Sequence, residues 1–212
     1  PYGDAEQKDT VFSNINYDQL NQTVANAFDQ KGQKNKRTRS VIVIYKDKII
    51  AEKYDTGFTK NSKILGWSMT KSITATLFGI LEKEGKYNIY QAAPIPEWAK
   101  DARKKITTND LLHMNSGLEW NEDYGAISDV TTMLFQAEDM TRSQLEKPLA
   151  FQPNAHWNYS SGTTNLLSGI LRKQFKTHQE YLDFWYSALI DKIGIKKTIK
   201  ELERVQDEAG SK

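Results

Sequence analysis

Gly66-Trp67-Ser68-Met69-Thr70-Lys71-Ser72-Ile73-Thr74-Ala75-Thr76-Leu77-Phe78-Gly79-Ile80-Leu81-Glu82-Lys83-Glu84-Gly85 is where the chain changes its period. Met69, Ile73, Leu77, Ile80 and Leu81 recur at helical spacing, so the stretch reads as a long helix with one apolar face and Gly85 as its C-cap. Just upstream the period is that of strands. Val41 to Tyr45 and Ile49 to Tyr54 are β-branched or aromatic runs separated by Lys46-Asp47-Lys48, a polar loop of hairpin length. Before the hairpin, Leu20, Val24, Ala27 and Phe28 mark an amphipathic helix across Tyr17 to Lys31, stopped by Gly32. Beyond Gly85, further helices are expected at about Thr108 to Met114, Ser128 to Gln136, Gly162 to Phe175 and Gln179 to Ile193. A helix, a hairpin and then a long helical region make an α+β arrangement. Because an isolated hairpin is marginal in water, these two strands require further strands or a packing partner.

The composition narrows the classes of function. With 212 residues, 38% hydrophobic and 26% charged, the chain is long and apolar enough for a sizeable core and too apolar for disorder. Its net charge of +2 gives no general reason to bind nucleic acid, and its longest purely apolar run, Val41 to Ile44, is far short of a membrane span. Cysteine is absent, which excludes disulfides, thiol nucleophiles and Cys-based metal sites. The three histidines, His113, His156 and His178, have no helical metal-ligand spacing, so no metal is expected. The five positive charges from Lys31 to Arg39 lack interleaved aromatics and read as a solvated connecting loop. The opening at Pro1, with neither a positive nor an apolar leader segment, reads as a processed or trimmed start.

Two short stretches carry chemistry. Ser68 and Lys71 stand three residues apart at the start of the long helix, so hydroxyl and amine share one face. A serine hydroxyl is a weak nucleophile that needs a base within hydrogen-bond reach, and a neutral lysine amine one turn away can serve. Backbone N–H groups at such a helix start can also stabilise an oxyanion. Against this stands a plain reading, in which Ser68 is only the N-cap of its helix. The second stretch is Tyr159-Ser160-Ser161-Gly162, where a tyrosine and a hydroxyl two residues on precede a helix with Leu166, Leu167, Ile170, Leu171 and Phe175 on its apolar face. A phenol beside a lysine can relay a proton between nucleophile and leaving group. Between them lies Leu111-Leu112-His113-Met114-Asn115-Ser116-Gly117-Leu118, a short helix closed by a turn.

In this order the three stretches resemble the serine β-lactamase-like superfamily, which includes class C β-lactamases, DD-peptidases, esterases and 6-aminohexanoate-dimer hydrolases. The likeness runs from about Arg39 to Ile195. It takes in the hairpin, the phrase Trp67-Ser68-Met69-Thr70-Lys71-Ser72-Ile73-Thr74, the Leu-Leu-His-Met-Asn-Ser-Gly-Leu segment, and Pro153 shortly before Tyr159. The resemblance implies a β-lactamase/transpeptidase-like fold in which the hairpin belongs to a central sheet. It implies that Ser68 is acylated, that Lys71 activates it and that Tyr159 is a second proton carrier, with no cofactor. Ser161 stands where penicillin-recognising members usually have Asn, which points to the amide- and ester-hydrolysing branches. By the same likeness Tyr124, in Trp120-Asn121-Glu122-Asp123-Tyr124, contacts substrate; Trp67, beside Ser68, and His156, near Tyr159 in the sequence, are expected to border or orient the site.

One family feature is missing: no Lys-Thr-Gly or His-Thr-Gly follows, since Lys197-Thr198 precedes Ile199 and Gly210-Ser211-Lys212 is no match. Residues 1–212 are therefore expected to form the front portion of one such domain, an α/β part over 1–65 and a mostly helical part over 66–212, with the C-terminal strands absent or supplied by a second chain. The expected function is amide or ester hydrolysis of a small-molecule or peptide-like substrate through a Ser68 acyl-enzyme. The alternatives are a binding or remnant module without turnover and a penicillin-recognising peptidase or β-lactamase. Resemblance also implies a bacterial periplasmic or extracellular location. A Ser-His-Asp elbow is rejected, because Thr70 replaces the second Gly of Gly-x-Ser-x-Gly and strands do not alternate with helices. His113 reads as a packed or capping helix residue, His178 as an exposed helix start, and Tyr181, Phe184, Trp185 and Tyr186 as core.

Overall fold

The computed structural model describes residues 11–30, 32 and 36–195. They fall into two units, one running to Leu65 and taking in Ile193–Ile195, the other spanning Gly66–Lys192. Lys197-Thr198, Gly210-Ser211-Lys212, Pro1 and Lys31 lie outside the described residues.

In the first unit, α1 (Tyr17–Asn26) begins where the Asn16 side chain accepts the Gln19 N–H at 3.0 Å. It stops at Asn26, before the expected Lys31 and Gly32, because the basic segment supplies its C-terminal partners. The Thr38 hydroxyl donates to the Ala27 carbonyl at 2.7 Å and the Lys36 ammonium to that of Asn26, while the Asp29 carboxylate accepts the N–H groups of Lys36 and Arg37. Part of that run is thus a helix cap rather than a freely solvated loop. Strands β1 (Ser40–Tyr45) and β2 (Lys48–Tyr54) pair antiparallel. Lys46 and Asp47, at φ 46° and 59°, close the hairpin in two residues rather than three, as the mirror-image turn that matches strand twist. The register passes from Val43↔Ala51 to Ile44↔Ile49, which leaves Ile50 as the extra residue of a bulge. Val24 and Phe28 are buried, and α1 lies against β2.

The second unit opens with a 3-10 turn at Trp67–Met69 that leads into α2 (Thr70–Lys83). Met69 therefore leaves the helix face assigned to it and is 67% exposed, while Leu77, Phe78 and Leu81 are buried. Next come short turns at Pro96–Trp98 and Ala102–Lys105, then α3 (Thr108–Leu112), α4 (Asp129–Gln136), α5 (Met140–Leu145), α6 (Ser161–Arg172) and α7 (His178–Trp185). Helix α3 ends two residues earlier than expected, with His113 as its cap and Met114 in the left-handed region. Helix α7 gives way to one wider π turn, Tyr186–Ile190, short of the expected Ile193. Helix α5 carries no apolar stripe from which it could be expected; its start is set by the Asp139 carboxylate accepting the Thr141 N–H at 2.9 Å.

The core of this unit joins α2 to α6 through Leu166, Leu167, Ile170 and Leu171, with Trp98, Ile106, Leu111, Tyr181 and Trp185 around them. Each such large apolar side chain contributes about 1.5–3 kcal/mol on burial. A smaller cluster of Trp120, Val130 and Met133 flanks the start of α6. Among the described residues, β1 and β2 form a single two-stranded sheet, and no helix is long and apolar enough to cross a membrane.

Candidate active site

Ser68 sits in the 3-10 turn and Lys71 one turn later in α2, and the spacing brings Lys71 Nζ to 3.1 Å from Ser68 Oγ. Ser68 does not cap its helix. The N-cap position is Met69, no side chain caps it, and the Ser68 hydroxyl is left to the lysine. Trp67, just before the nucleophile candidate, is held at φ 43°, a region that costs a bulky L-residue and recurs at functional sites.

The opposite wall is the start of α6, where two adjacent serines divide the work. Ser160 is the N-cap: its Oγ accepts the Thr163 N–H at 2.9 Å and donates to Gln144 Oε1 at 3.0 Å. Gln144, fully buried in α5, thereby fixes where α6 begins. Ser161 is then free for the cleft, and its Oγ accepts from Lys71 Nζ at 3.0 Å. Lys71 Nζ also lies 4.8 Å from the centroid of the Tyr159 ring, within cation–π range. Lys71 therefore meets Ser68, Ser161 and Tyr159 together. Gly162 is required here, because a Cβ would come within 2.6 Å of the Trp120 ring and 2.7 Å of Gln144 Oε1.

Glu122 organises this wall, and it is the residue that sequence reading passes over. Its Oε2 accepts the Ser161 N–H at 2.9 Å and the Trp120 indole N–H. Its Oε1 accepts the Ser161 and Tyr124 hydroxyls, the latter at 2.8 Å. Burial pushes the Glu122 carboxyl up, but the bonds from Ser161, Trp120 and Tyr124 together outweigh it and hold the group below its ordinary range. Burial raises the Tyr124 phenol; the Ser161 hydroxyl lowers it, the Glu122 carboxylate raises it again, and the balance is upward. The signal in the sequence is the alternation Trp120, Glu122, Tyr124, which an extended loop turns to one side.

A second layer holds the loops that carry these groups. The segments around Gly117 and Phe151 pair through Ala150 N–H to Gly117 O at 2.9 Å and Glu119 N–H to Pro148 O at 3.0 Å. Gly117 has φ +80° and its Cα lies so close to the Phe151 carbonyl that a Cβ would stand 2.2 Å from the oxygen. Asn154 Nδ2 donates to Asp110 Oδ1 at 2.9 Å, and Asn158 Nδ2 to the Trp120 carbonyl at 3.1 Å. Since Asp110 also closes the capping box of α3, the short helix, the Glu122 loop and the approach to Tyr159 are tied into one frame.

A cleft of about 330 Å³ opens from this cluster, and its lining includes Trp67, Ser68, Lys71, Tyr124 and Ser161. That is a volume suited to a small ligand. His156 is not among the lining residues; its exposed ring lies 4.4 Å from that of Phe151. His113 caps α3 and contacts the Asn109 carbonyl through Nδ1 at 2.9 Å. Tyr181 and Trp185 are core residues, although Tyr181 also reaches the cleft. Among the described residues no group of three or more His, Asp or Glu side chains gathers as metal ligands.

Comparison with known proteins finds relatives for the chain. The beta-lactamase family model matches residues 23–208. Over 89 residues the chain is 29% identical to a 6-aminohexanoate-dimer hydrolase of Paenarthrobacter ureafaciens, covering 41% of this chain and 23% of that one. Among solved structures, a Bacteroides dorei protein provisionally assigned as a beta-lactamase superposes with TM-score 0.57 at 16% identity, over 74% of this chain and 45% of its own. A Bacillus anthracis protein provisionally assigned as a 6-aminohexanoate-dimer hydrolase gives 0.56 at 16% identity, over 74% and 43%. The fold is thus β-lactamase-like, and the chain spans less than half the length of these relatives.

Proposed function

The chain belongs to the beta-lactamase family, and on that premise we propose that it acts as a serine hydrolase that cleaves an amide or ester through a Ser68 acyl-enzyme. The observation that carries the reading is the convergence on Lys71 Nζ, 3.1 Å from Ser68 Oγ, 3.0 Å from Ser161 Oγ and 4.8 Å from the Tyr159 ring centroid. Lys71 in its base form takes the Ser68 proton as Oγ bonds to the substrate carbonyl carbon. Tyr159 passes a proton to the departing nitrogen or oxygen, whose bond to the carbonyl carbon breaks. Water then attacks the acyl carbonyl and gives its proton to the Tyr159 oxygen, and the acid leaves as the bond to Ser68 Oγ breaks and Lys71 returns the proton to that oxygen, so that all three groups end as they began. Tyr124 and Trp67 border the bound acyl group. Ser161, where penicillin-recognising relatives usually have Asn, favours linear amides and esters over β-lactams, as do the names of two of the relatives.

A second reading, a binding module without turnover, is favoured by the exposure of Ser68. Intact-mass spectra after mixing with p-nitrophenyl esters, a short amide oligomer and a β-lactam separate the two. Hydrolase chemistry predicts an acyl mass on the parent and none on Ser68→Ala. A folded parent that takes no adduct, or takes it equally on the variant, overturns the proposal.

A further inference from the structure

Tyr124 borders two hollows. One is the cleft it shares with Ser68 and Lys71; the other is a second depression of about 260 Å³, lined by Tyr124, Ala126 and Ile127 of the loop and by Thr132, Phe135 and Gln136 of α4. Helix α4 divides them by its phase, since Met133 and Leu134 face the cleft while Thr132, Phe135 and Gln136 fall on the other side. A ligand can reach the second hollow, because Ile127 is 92% exposed, Phe135 82% and Tyr124 58%. Its shape is fixed in advance: Thr131 Oγ donates to the Ala126 carbonyl at 3.0 Å and Ser128 Oγ to the Asp123 carbonyl at 2.7 Å, which pins the loop to the head of α4. None of the described residues that line it is charged. Large apolar side chains scattered singly on a surface need no explanation, but two that flank one hollow beside a reacting cleft do. The hollow is also close to the chemistry. Ser68 Oγ, Lys71 Nζ, Ser161 Oγ, Glu122 Oε1 and the Tyr124 hydroxyl follow one another in direct contact, so the Tyr124 hydroxyl lies within four hydrogen-bond lengths of Ser68 Oγ.

Building on the hydrolase reading, we propose that the hollow beyond Tyr124 is a second acyl subsite, which receives the distal part of a linear, uncharged, apolar acyl chain whose carbonyl lies at Ser68. The chain leaves the cleft past the Tyr124 ring and lies between Ile127 and Phe135, whose exposed apolar surface it covers. A short acyl group stays in the cleft and does not meet these two side chains. A charged tail gains nothing in the hollow, where the lining offers no partner of either sign.

The test compares p-nitrophenyl dodecanoate, below its micellar concentration, with p-nitrophenyl butanoate, which shares its leaving group and differs in acyl length. Both substituted side chains are solvent-exposed, so Ile127→Ser/Phe135→Ser should keep the fold and turn over butanoate within about twofold of the parent. The ratio of kcat/KM values, dodecanoate over butanoate, should fall about tenfold in that variant, the discrimination that one or two methylene groups make in an apolar pocket. An unchanged ratio overturns the subsite while the hydrolase reading stands. Sedimentation velocity adds a second way to lose it: a dimer of the parent that the paired substitution dissociates assigns the hollow to a second copy of the chain and overturns the proposal. If the folded parent hydrolyses neither ester, the hydrolase reading fails. The subsite is then read without turnover, from equilibrium dialysis of radiolabelled dodecanamide and butanamide against Ser68→Ala with and without the two further substitutions. A tenfold loss of the binding ratio supports it, and equal ratios overturn it.

Discussion

Removing the Glu122 carboxylate should damage stability and chemistry by separable amounts. Oε2 takes two N–H donors, Ser161 N and Trp120 Nε1, whereas Oε1 takes two hydroxyls, those of Ser161 and Tyr124. In Glu122→Gln the amide oxygen fits at the Oε2 position and the amide nitrogen at Oε1, where both hydroxyls can turn and accept. All four contacts survive as neutral bonds, for a loss of about 1–2 kcal/mol. Glu122→Ala leaves both N–H donors without an acceptor, which costs about 2–4 kcal/mol, or roughly 4–16 °C in Tm. The chemical effect is the more telling one. Once the Ser161 hydroxyl accepts from the introduced amide nitrogen, its own proton turns towards Lys71 and occupies the lone pair that must receive the Ser68 proton. Acylation of Ser68 by a p-nitrophenyl ester should therefore slow by about 10–100-fold in Glu122→Gln, with the fold retained. Stopped-flow release of nitrophenolate and thermal unfolding on the same samples measure the two effects. Acylation within twofold of the parent in Glu122→Gln would refute the argument.

The same carboxylate sets a pH dependence. Its folded-state pKa lies below its ordinary range, so its contribution is complete above about pH 4.3 and lost as pH falls through the lowered value. The stability gap between parent and Glu122→Gln should stay constant from neutral pH to about 5 and close in acid, as urea titrations at several pH values can measure; a gap that persists in acid contradicts it. Gly162→Ala gains up to about 1 kcal/mol in helix propensity but drives a methyl into Trp120 and Gln144, so a net loss of about 1–2 kcal/mol and an altered near-ultraviolet tryptophan signal are expected. Lys46→Asn with Asp47→Gly relieves two left-handed residues in the hairpin turn and should stabilise the protein by about 1 kcal/mol, read as a raised urea midpoint.

Local spacing carries much of the site. Ser68 and Lys71 meet because three residues make almost one turn, and Tyr159 and Ser161 flank the residue that starts a helix. What spacing does not carry is Glu122, which matters only because the fold brings it to Ser161, thirty-nine positions away. Met69 departs from its expected face for a geometric reason: the turn at Trp67–Met69 has three residues per turn, which shifts its phase against the α-helix that follows. The end of α1 is hidden in another way. Phe28 is buried although it lies outside the helix, so the apolar stripe outruns the helical hydrogen bonds. Helix α5 depends on the buried Gln144 and on a cap, neither of which leaves a hydrophobic period to read.

The neighbouring serines at the head of α6 have a bearing on how such a protein can change over generations. Folding leans on Ser160, which caps the helix and grips Gln144, whereas Ser161 faces Lys71 and the cleft. A substitution at 161 can therefore alter what the cleft accepts without unwinding the helix that presents it. Substrate preference and foldability are placed on adjacent codons, and selection can act on one while holding the other.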